Sequence, residues 1–440
     1  DKTNKKERNI YNQDVIKDSH ELYGYRPHYK YKNILTEIIK DKETWRQLKA
    51  ELSKYNIPSS DTAKKDTRAG KIFEVFTKYY FLVSPTEKDN YKQVWLFEET
   101  PLKIRDKLNL GNQDYGVDLV LQDVEDQFFA VQCKYKNDEA SKLGWSADKI
   151  ANLFAFCPNA DGYIVFSNAT DLDQVSKTRH DNFTFYGVEN LNEIDKGTFL
   201  SIYTLLAENH FTERKLFDPL PHQQTAIQEC TKRFIEDNES RGQLILPCGA
   251  GKTFTALWIK EKIKSKNTLV LVPSLALLRQ IKNEWSKQRR SVYQYLCVCS
   301  EIDIDKNTTD NLVTHTYEID TRVTTNASRV KSFLSRSFDE KVIFSTYHSL
   351  HVVVDAIKEL NFEFDFTFCD EAHKTAGVGN NRFTLVHNNN LVPSKYRLYA
   401  TATPRIVKET LKKKLGSNLK YAYDMDDPNT FGHEFHRMTF

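Results

Sequence analysis

Residues 244–253 read Leu-Ile-Leu-Pro-Cys-Gly-Ala-Gly-Lys-Thr, an apolar run followed by a glycine-containing turn and then by a helix-forming segment. The apolar run is typical of a buried strand. Gly249 and Gly251 let the backbone curl so that several N–H groups point at phosphate oxygens, and the N-terminus of the next helix adds a favourable dipole. Lys252 would neutralise the β- and γ-phosphates, and the Thr253 hydroxyl would bind Mg²⁺. The stretch therefore predicts a site for ATP or a related nucleotide.

A second motif, Asp370–Glu371–Ala372–His373, lies about 117 residues after the glycine turn and follows the apolar run Phe364–Cys369. A carboxylate at the carboxyl end of a parallel strand lies on the edge of the sheet where ligands bind. Asp370 would hold Mg²⁺, Glu371 would position and polarise the attacking water, and His373 would couple the nucleotide site to the rest of the domain.

Short apolar runs alternate with helix-like segments through residues 217–440, which predicts a parallel sheet covered by helices on both faces. The predicted strands are Gly242–Leu246, Thr268–Val272, Lys341–Ser345, Phe364–Cys369 and Tyr396–Thr401.

Together these motifs resemble the superfamily 2 helicases and translocases of the DEAH-box type, over about half of the chain. The resemblance implies a RecA-like domain over residues 217–440, with Gln223 as the residue that recognises adenine. Leu246 departs from the pattern, because it stands where the phosphate-loop motif usually begins with glycine.

The same resemblance assigns further residues to nucleic-acid contact and to coupling. Pro273, Ser274 and Thr346 match segments that contact the nucleic-acid backbone, and Thr401 and Thr403 match the motif that couples hydrolysis to strand movement. Loop polarity and packing are an alternative for Ser274 and Thr346, since hydroxyl groups serve either purpose.

In this family a second RecA-like domain supplies arginines to the γ-phosphate. The chain stops at Phe440, about 35 residues past Arg405, and we expect that domain to be absent. The chain alone is then expected to hydrolyse ATP poorly.

The N-terminal half carries a second set of chemical groups at the ends of two predicted strands, Gly116–Leu121 and Gln127–Lys134. Asp118 would bind Mg²⁺, and Gln132 would add an acceptor. Lys134 would orient the attacking water and stabilise charge on the phosphorane. Glu74, on a predicted helix over residues 70–82, could add a carboxylate from the opposite wall.

This set resembles the PD-(D/E)xK nucleases, and among them the Mrr-like restriction endonucleases, which often have Gln where others have Glu. The resemblance covers roughly residues 66–195 and implies a mixed sheet. The alternative is that Asp118 and Lys134 are a surface pair on a hairpin. Asp114 is a second-ranked candidate for the metal ligand.

The domain boundaries predicted on this basis are a polar, helical N-terminal extension over 1–65, a nuclease domain over 66–195, a linker helix within 196–216 and the RecA-like domain over 217–440. The fold class is α/β throughout. The net charge is only +3, so contact with double-stranded DNA must come from local basic clusters such as Lys412–Lys414. No membrane span is expected, and seven cysteines without a Cys-x-x-Cys pair favour a reduced, cytoplasmic protein.

A nuclease followed by a superfamily 2 motor is the layout of restriction-modification enzymes of Type ISP or Type I. The resemblance implies ATP and Mg²⁺ as cofactors. It also implies a second RecA-like domain, a methyltransferase and target-recognition parts as downstream domains or subunits. Two alternatives stay open: a stand-alone helicase–nuclease for repair or antiviral defence, and a remodelling ATPase whose nuclease-like domain only binds DNA.

Overall fold

The computed structural model describes residues 27–55, 68–111, 115–177, 183–300, 319, 323–378, 382–406 and 422–438. The chain divides into two compact units, Asp1–Arg214 and Lys215–Phe440, which are described separately.

The first unit contains a mixed five-stranded sheet. Its strands are β1 Tyr91–Leu96, β2 Leu119–Asp123, β3 Phe128–Lys134, β5 Gly162–Ser167 and β7 Phe183–Tyr186, in the spatial order β1-β2-β3-β5-β7. The β1–β2 and β2–β3 pairs are antiparallel, whereas β3–β5 and β5–β7 are parallel. A separate two-stranded sheet pairs β4 Lys142–Leu143 with β6 Asp171–Leu172. The predicted mixed sheet is confirmed.

Eight described helices accompany this sheet. They are α1 Pro27–Ile39, α2 Trp45–Leu52, α3 Arg68–Val83, α4 Leu102–Leu108, α5 Ile150–Ala155, α6 Gln174–Lys177, α7 Val188–Asn192 and α8 Lys196–Glu208, with short 3-10 turns at Ser53–Tyr55 and Phe97–Glu99.

One hydrophobic core joins helices from both ends of this unit to the sheet. Trp45 of α2 packs on Phe73 and Phe76 of α3, and Phe199 of α8 lies against Phe76. All four side chains are at most 1% exposed, so each contributes roughly 1.5–3 kcal/mol of burial free energy. The structure therefore places α2, predicted as part of an extension, and α8, predicted as a linker, inside the core of the first unit.

The second unit contains an eight-stranded sheet in which every strand pairing is parallel. The strands are β8 Arg241–Ile245, β9 Asn267–Val272, β10 Gln294–Val298, β11 Val323–Thr324, β12 Lys341–Thr346, β13 Phe364–Cys369, β15 Ser394–Thr401 and β17 His433–Arg437. Their spatial order is β11-β10-β12-β9-β13-β15-β8-β17. A further small sheet pairs β14 Gly377–Val378 with β16 Ala422–Tyr423. The predicted parallel sheet is confirmed.

Described helices on this sheet are α9 Pro221–Ile235, α10 Lys252–Lys262, α11 Leu275–Gln288, α12 Ala327–Ser335, α13 Leu350–Lys358 and α14 Pro428–Phe431, with 3-10 turns at Ala372–Thr375 and Arg382–His387. Alternate residues along the central strands point to two different cores: Val270 and Phe368 belong to one, and Leu269 and Cys369 to the other. The β-sheet is thus buried on both faces, which explains the unbroken apolar runs in the sequence.

The last described strand, β17, is polar apart from Phe435 and was not predicted. Phe435 packs edge-on against Phe234 at 5.0 Å between ring centroids. It also covers Gly242 so closely that a Cβ at Gly242 would lie 2.3 Å from the ring. The packing of Phe435 and the parallel pairing with β8 hold this strand in the sheet.

Among the helices of the described residues, none has the length and apolar character needed to cross a lipid bilayer.

Candidate functional sites

The glycine turn between β8 and α10 has the backbone conformation that phosphate binding requires. Gly249 and Gly251 have φ values of +78° and +81°, in the region that side-chain-bearing residues rarely adopt. Gly251 immediately precedes Lys252, the first residue of α10, so the amides of the turn and of the helix N-terminus lie together.

Gln223 lies against this turn. Its Oε1 accepts a hydrogen bond from Leu220 N at 2.9 Å, and its Nε2 donates to Ala250 O at 3.3 Å. The side chain is only 5% exposed, and a Cβ at Gly251 would lie 2.2 Å from Nε2. The structure therefore places Gln223 against the glycine turn, with its amide held by these two hydrogen bonds.

Lys252 and the Asp370 motif meet at the carboxyl ends of β8 and β13. Lys252 Nζ lies 3.7 Å from Glu371 Oε1. Burial raises the pKa of Asp370 to about 6, with the charge of Glu371 adding to the effect and Lys252 opposing it. Asp370 Oδ1 is buried and accepts no hydrogen bond from any described residue. A buried acceptor of this kind suits a divalent cation or its bound water.

Glu371 is strained and fixed. Its φ of +47° places a residue with a full side chain in the left-handed region, at a cost of about 1–2 kcal/mol. The hydrogen bond from His373 holds the pKa of the Glu371 carboxyl below its usual value, and Lys252 lowers it further. A carboxylate kept ionised beside the phosphate loop can polarise a water molecule.

His373 connects this carboxylate to the coupling motif. Its Nδ1 lies 3.3 Å from Glu371 Oε2 and 2.9 Å from Thr401 Oγ1. The Thr401 hydroxyl donates to Thr403 O at 3.3 Å, and its oxygen accepts from Thr403 N at 3.1 Å. The Thr401 hydroxyl thus lies within hydrogen-bonding distance of both His373 and Thr403. A continuous chain of contacts runs from Lys252 to Thr403.

The residues assigned to DNA contact differ in accessibility. Ser274 caps α11, where its side chain accepts from Leu277 N at 3.4 Å, and it is half-buried. Pro273 is buried, and Thr346 is 0% exposed with its Oγ1 accepting from Ser349 N at 3.3 Å. Burial keeps the Thr346 hydroxyl from meeting a DNA strand in this conformation, so its observed role is to shape the turn after β12.

In the first unit, Asp118 stands just before β2 and is 8% exposed. Its Oδ2 accepts a hydrogen bond from Cys133 N at 2.7 Å, which joins it to the neighbouring strand β3. The side chain therefore points across the sheet toward β3. This arrangement differs from the exposed hairpin pair that was the alternative interpretation.

Gln132 is completely buried on β3. Its Nε2 donates to Lys149 O at 3.3 Å, while its Oε1 is buried and finds no hydrogen-bond partner among the described residues. Gly116, with a φ of +120°, leaves room for this amide, because a Cβ there would lie 2.8 Å from Gln132 Nε2. The unpartnered oxygen is an observation that fits a bound cation.

Lys134 ends β3 and is half-buried. Its ammonium forms no ion pair with any residue that the structure describes, in contrast to Lys136, which pairs with Asp148 at 2.5 Å. The two lysines are two residues apart on the chain, and they offer a matched pair for mutagenesis.

Glu74 faces the same strand from α3 and is 7% exposed. Burial raises the pKa of the Cys133 thiol well above its usual value, and the charges of Asp118 and then Glu74 raise it further. Both carboxylates therefore lie near Cys133. Lys71, one helical turn before Glu74, pairs with it at 2.9 Å and was missed in the sequence. The i, i+3 spacing of the two residues was the available signal.

Two sequence candidates, Asp114 and the basic run Lys412–Lys414, lie outside the described residues.

Two family models match the chain, one in each unit. Residues 82–147 match a restriction endonuclease family of the Mrr type, and this range includes Asp118, Gln132 and Lys134 but not Glu74. Residues 216–406 match the family described as the res subunit of Type III restriction enzymes, and this range includes the nucleotide and coupling motifs.

The chain is similar to larger proteins of which it spans a quarter or less. It is 28% identical to the ATP-dependent Type ISP restriction-modification enzyme LlaBIII, solved bound to DNA, with a TM-score of 0.68 over 90% of this chain and 25% of that one. It is 33% identical to a nuclease-deletion mutant of the Type ISP enzyme LlaGI over 52% of this chain and 20% of that one, with a TM-score of 0.38. It is also 30% identical over 207 residues to the probable helicase A859L of African swine fever virus, which covers 45% of this chain and 22% of the relative.

These matches confirm the resemblance inferred from the motifs. The chain carries an Mrr-type restriction endonuclease domain followed by a restriction-enzyme helicase domain with a RecA-like fold, and it is similar to the Type ISP restriction-modification enzymes.

Proposed function

We propose that this chain supplies a Mg²⁺-dependent DNA endonuclease and an ATP-driven DNA translocase to a restriction-modification enzyme. The observation that carries the proposal is the similarity to LlaBIII over 90% of the chain, since this share includes both units. LlaBIII was solved bound to DNA. We propose that double-stranded DNA is the substrate of this chain.

In the nuclease domain, we assign the cation to Asp118 and the orphaned oxygen of Gln132, with Glu74 as a further candidate carboxylate. A bound divalent cation would lower the pKa of its water and neutralise phosphate charge. Lys134, which has no competing carboxylate in the described structure, is free to hold the attacking water and to stabilise the pentavalent phosphate. Cys133 N–H fixes the Asp118 carboxylate, so the site is organised before DNA arrives.

In the helicase domain, we assign the phosphates of ATP to the amides around Gly249 and Gly251 and to the ammonium of Lys252. Thr253 and Asp370 are the proposed holders of Mg²⁺. Glu371 would position the attacking water, with its orientation set by His373.

The contacts that join Lys252, Glu371, His373, Thr401 and Thr403 suggest how a change at the phosphate site is transmitted to the protein surface. Thr403 is exposed and lies at the end of that path. Lys252 now lies near Glu371. When phosphate binds, Lys252 would turn toward it, which frees Glu371 for water and alters the bond to His373.

The other parts proposed for the complete enzyme are a second RecA-like domain, a methyltransferase and target-recognition domains or subunits. A cytoplasmic location stays a prediction.

Nicking of supercoiled plasmid DNA tests the nuclease assignment. We expect Mg²⁺-dependent nicking that EDTA abolishes and that Lys134→Ala reduces by at least about 100-fold, since removal of one charge-stabilising group has effects of that order. Lys136→Ala is the matched control, because its ammonium is already paired with Asp148. We expect this variant to keep most of the activity.

Equal activity in wild type and Lys134→Ala would contradict the assigned nuclease site. Complete absence of Mg²⁺-dependent cleavage, together with DNA binding, would favour the remodelling ATPase with an inactive nuclease-like domain. Cleavage by an assembled enzyme that contains no methyltransferase would favour the stand-alone helicase–nuclease.

A further inference from the structure

Two exposed aromatic side chains of the first unit stack on each other. Tyr115 is 50% exposed and Phe156 is 42% exposed. Their ring centroids lie 5.0 Å apart, with 28° between the ring planes. No other Phe, Tyr or Trp among the described residues of this unit is as exposed, and its other exposed large apolar side chains, Leu102, Val175 and Leu200, are aliphatic. This aromatic pair therefore offers the solvent an apolar surface on which another flat ring can stack.

The aromatic pair adjoins the proposed nuclease site. Tyr115 is followed by Gly116, where an added Cβ would lie 2.8 Å from Gln132 Nε2 and 3.1 Å from Asn152 Cβ. Consecutive Cα atoms are about 3.8 Å apart, so the Cα atom of Tyr115 lies within about 8 Å of the Gln132 amide. Phe156 stands one helical turn after Asn152, because its N donates to Asn152 O at 2.9 Å.

Lys149 adds a positive charge at the start of the same helix. Its backbone O accepts the hydrogen bond from Gln132 Nε2 at 3.3 Å, and its side chain is exposed. Its ammonium has no ion-pair partner in the described part of the chain, so it can contact a phosphate group. Basic charge beside exposed rings suits single-stranded nucleic acid, because the charge holds the backbone while the rings stack on bases. This combination favours a nucleic-acid strand over an apolar protein segment as the occupant.

The bases of a duplex stack on their neighbours, so their faces are covered. A ring at the protein surface can stack on a base only when that base is unpaired or turned out of the helix. The strand that is cut must place a phosphate at Asp118, Gln132 and Lys134. Nucleotides next to that phosphate then lie within reach of the aromatic pair.

We propose that Tyr115 and Phe156 form a stacking surface for an unpaired base of the DNA strand that the nuclease cuts. The duplex that the translocase follows is then opened locally at the cut site. This inference rests on the proposed function, because it requires a DNA phosphate at the nuclease site, and it adds the form in which the strand is bound.

Binding of fluorescently labelled oligonucleotides to the full chain, in EDTA so that no cleavage occurs, tests the stacking surface. The probes are a thymidine strand of about 12 nucleotides and a strand of equal length that carries abasic sites throughout. We expect Tyr115→Ala and Phe156→Ala each to weaken binding of the thymidine strand about 5–100-fold, since that is the effect of removing a ring that stacks on a base. Affinity for the abasic strand should stay within about twofold of wild type, because it has no base to stack.

The controls separate the ring from exposed apolar surface in general. Tyr115→Phe and Phe156→Tyr keep a ring and should bind the thymidine strand within about threefold of wild type. Leu200→Ala removes an apolar side chain of helix α8 that is 51% exposed in the same unit, and it should leave both affinities unchanged.

Cleavage in Mg²⁺ gives a second measurement. We expect wild type to cut a duplex with a central run of mismatches faster than a fully paired duplex. Phe156→Ala should lose at least about fivefold of that preference, because the unpaired base loses its stacking partner.

Two results would overturn the inference. One is wild-type affinity of both alanine variants for the thymidine strand, which would assign the aromatic pair to a protein partner. The other is an equal loss for the thymidine and abasic strands, which would assign the rings a structural role. If Phe156→Ala does not fold, Tyr115→Ala decides by the same criteria. Equal plasmid nicking by wild type and Lys134→Ala would contradict the proposed nuclease site itself, whereas the difference between the two strands tests the stacking surface without cleavage.

Discussion

Replacement of Gly251 by alanine tests the geometry of the nucleotide loop, and Gly249 provides its matched control. The two glycines have nearly equal φ values, +81° and +78°. A side chain in this region costs about 1–2 kcal/mol at either position. The added Cβ at Gly249 would meet nothing within 4 Å, whereas at Gly251 it would lie 2.2 Å from Gln223 Nε2.

The difference between the two variants should equal the cost of moving Gln223. Carbon and nitrogen atoms pack at about 3.5 Å or more, so the amide must move by over about 1 Å. It would then lose its bonds to Ala250 O and from Leu220 N, each with a contribution of about 0.5–1.5 kcal/mol. We therefore expect Gly251→Ala to destabilise the second unit by about 2 kcal/mol more than Gly249→Ala.

Calorimetry without nucleotide measures this difference. For a unit of this size, about 2 kcal/mol corresponds to a melting temperature about 4–8 °C lower in Gly251→Ala than in Gly249→Ala. In a Gln223→Ala background the extra loss should disappear, because the group that clashes is gone. Equal melting temperatures for the two glycine variants, or an extra loss that persists without Gln223, would refute the reasoning.

Three further predictions concern other parts of the chain. Burial lowers the pKa of His387 to about 3, so the folded second unit excludes a proton that the unfolded chain takes up below about pH 6.5. Stability is therefore full above that pH and falls as the pH drops toward 3. We expect the free energy of unfolding to be about 2 kcal/mol lower at pH 5 than at pH 7.5 through this group, and a His387→Phe variant that keeps the full acid sensitivity would argue against it. Thr401→Val removes the hydroxyl that lies 2.9 Å from His373 Nδ1, so DNA-stimulated ATP turnover by the proposed complete enzyme, with its second RecA-like domain, should fall about tenfold while nucleotide affinity stays within about threefold; unchanged stimulation would exclude this path. Trp45→Phe removes the bond from the indole to Glu139 Oε1 at 2.8 Å and leaves a small cavity, so denaturant unfolding of the first unit should show a loss of about 2 kcal/mol with nucleotide binding intact; loss of nucleotide binding would show that the substitution acts beyond its own unit.

Strands could be predicted from the sequence where they consist of an unbroken run of apolar residues. The predicted strand Phe364–Cys369 has the same bounds in the structure, and the predicted strand Gln127–Lys134 differs from the observed Phe128–Lys134 by one residue. Both lie inside sheets, where burial on two faces demands an unbroken apolar run. The edge strands Tyr91–Leu96 and His433–Arg437 were not predicted. A strand at the edge of a sheet can alternate polar and apolar residues or bury a single ring, so its sequence lacks the unbroken apolar run.

Some features of the two sites could likewise be predicted from the sequence, and others could not. Motif spacing placed Lys252, Asp370 and Glu371 together, because the carboxyl ends of parallel strands share one edge of the sheet. Spacing could not show that Thr346 is buried or that helix α8 joins the core of the first unit, since both depend on which faces pack together.

The sequence by itself determined the chemistry of the two sites, because glycines in a phosphate turn and carboxylates at strand ends carry their function in their residue type and order. Only the tertiary structure decided which neighbouring groups hold these site residues in position. Trp285 Nε1 donates to Thr253 O, and the ring of Trp45 packs on Phe73, only because segments far apart in sequence pack together in the fold. Hydrogen bonds and ring contacts act over a few ångströms, and only the folded chain sets those distances.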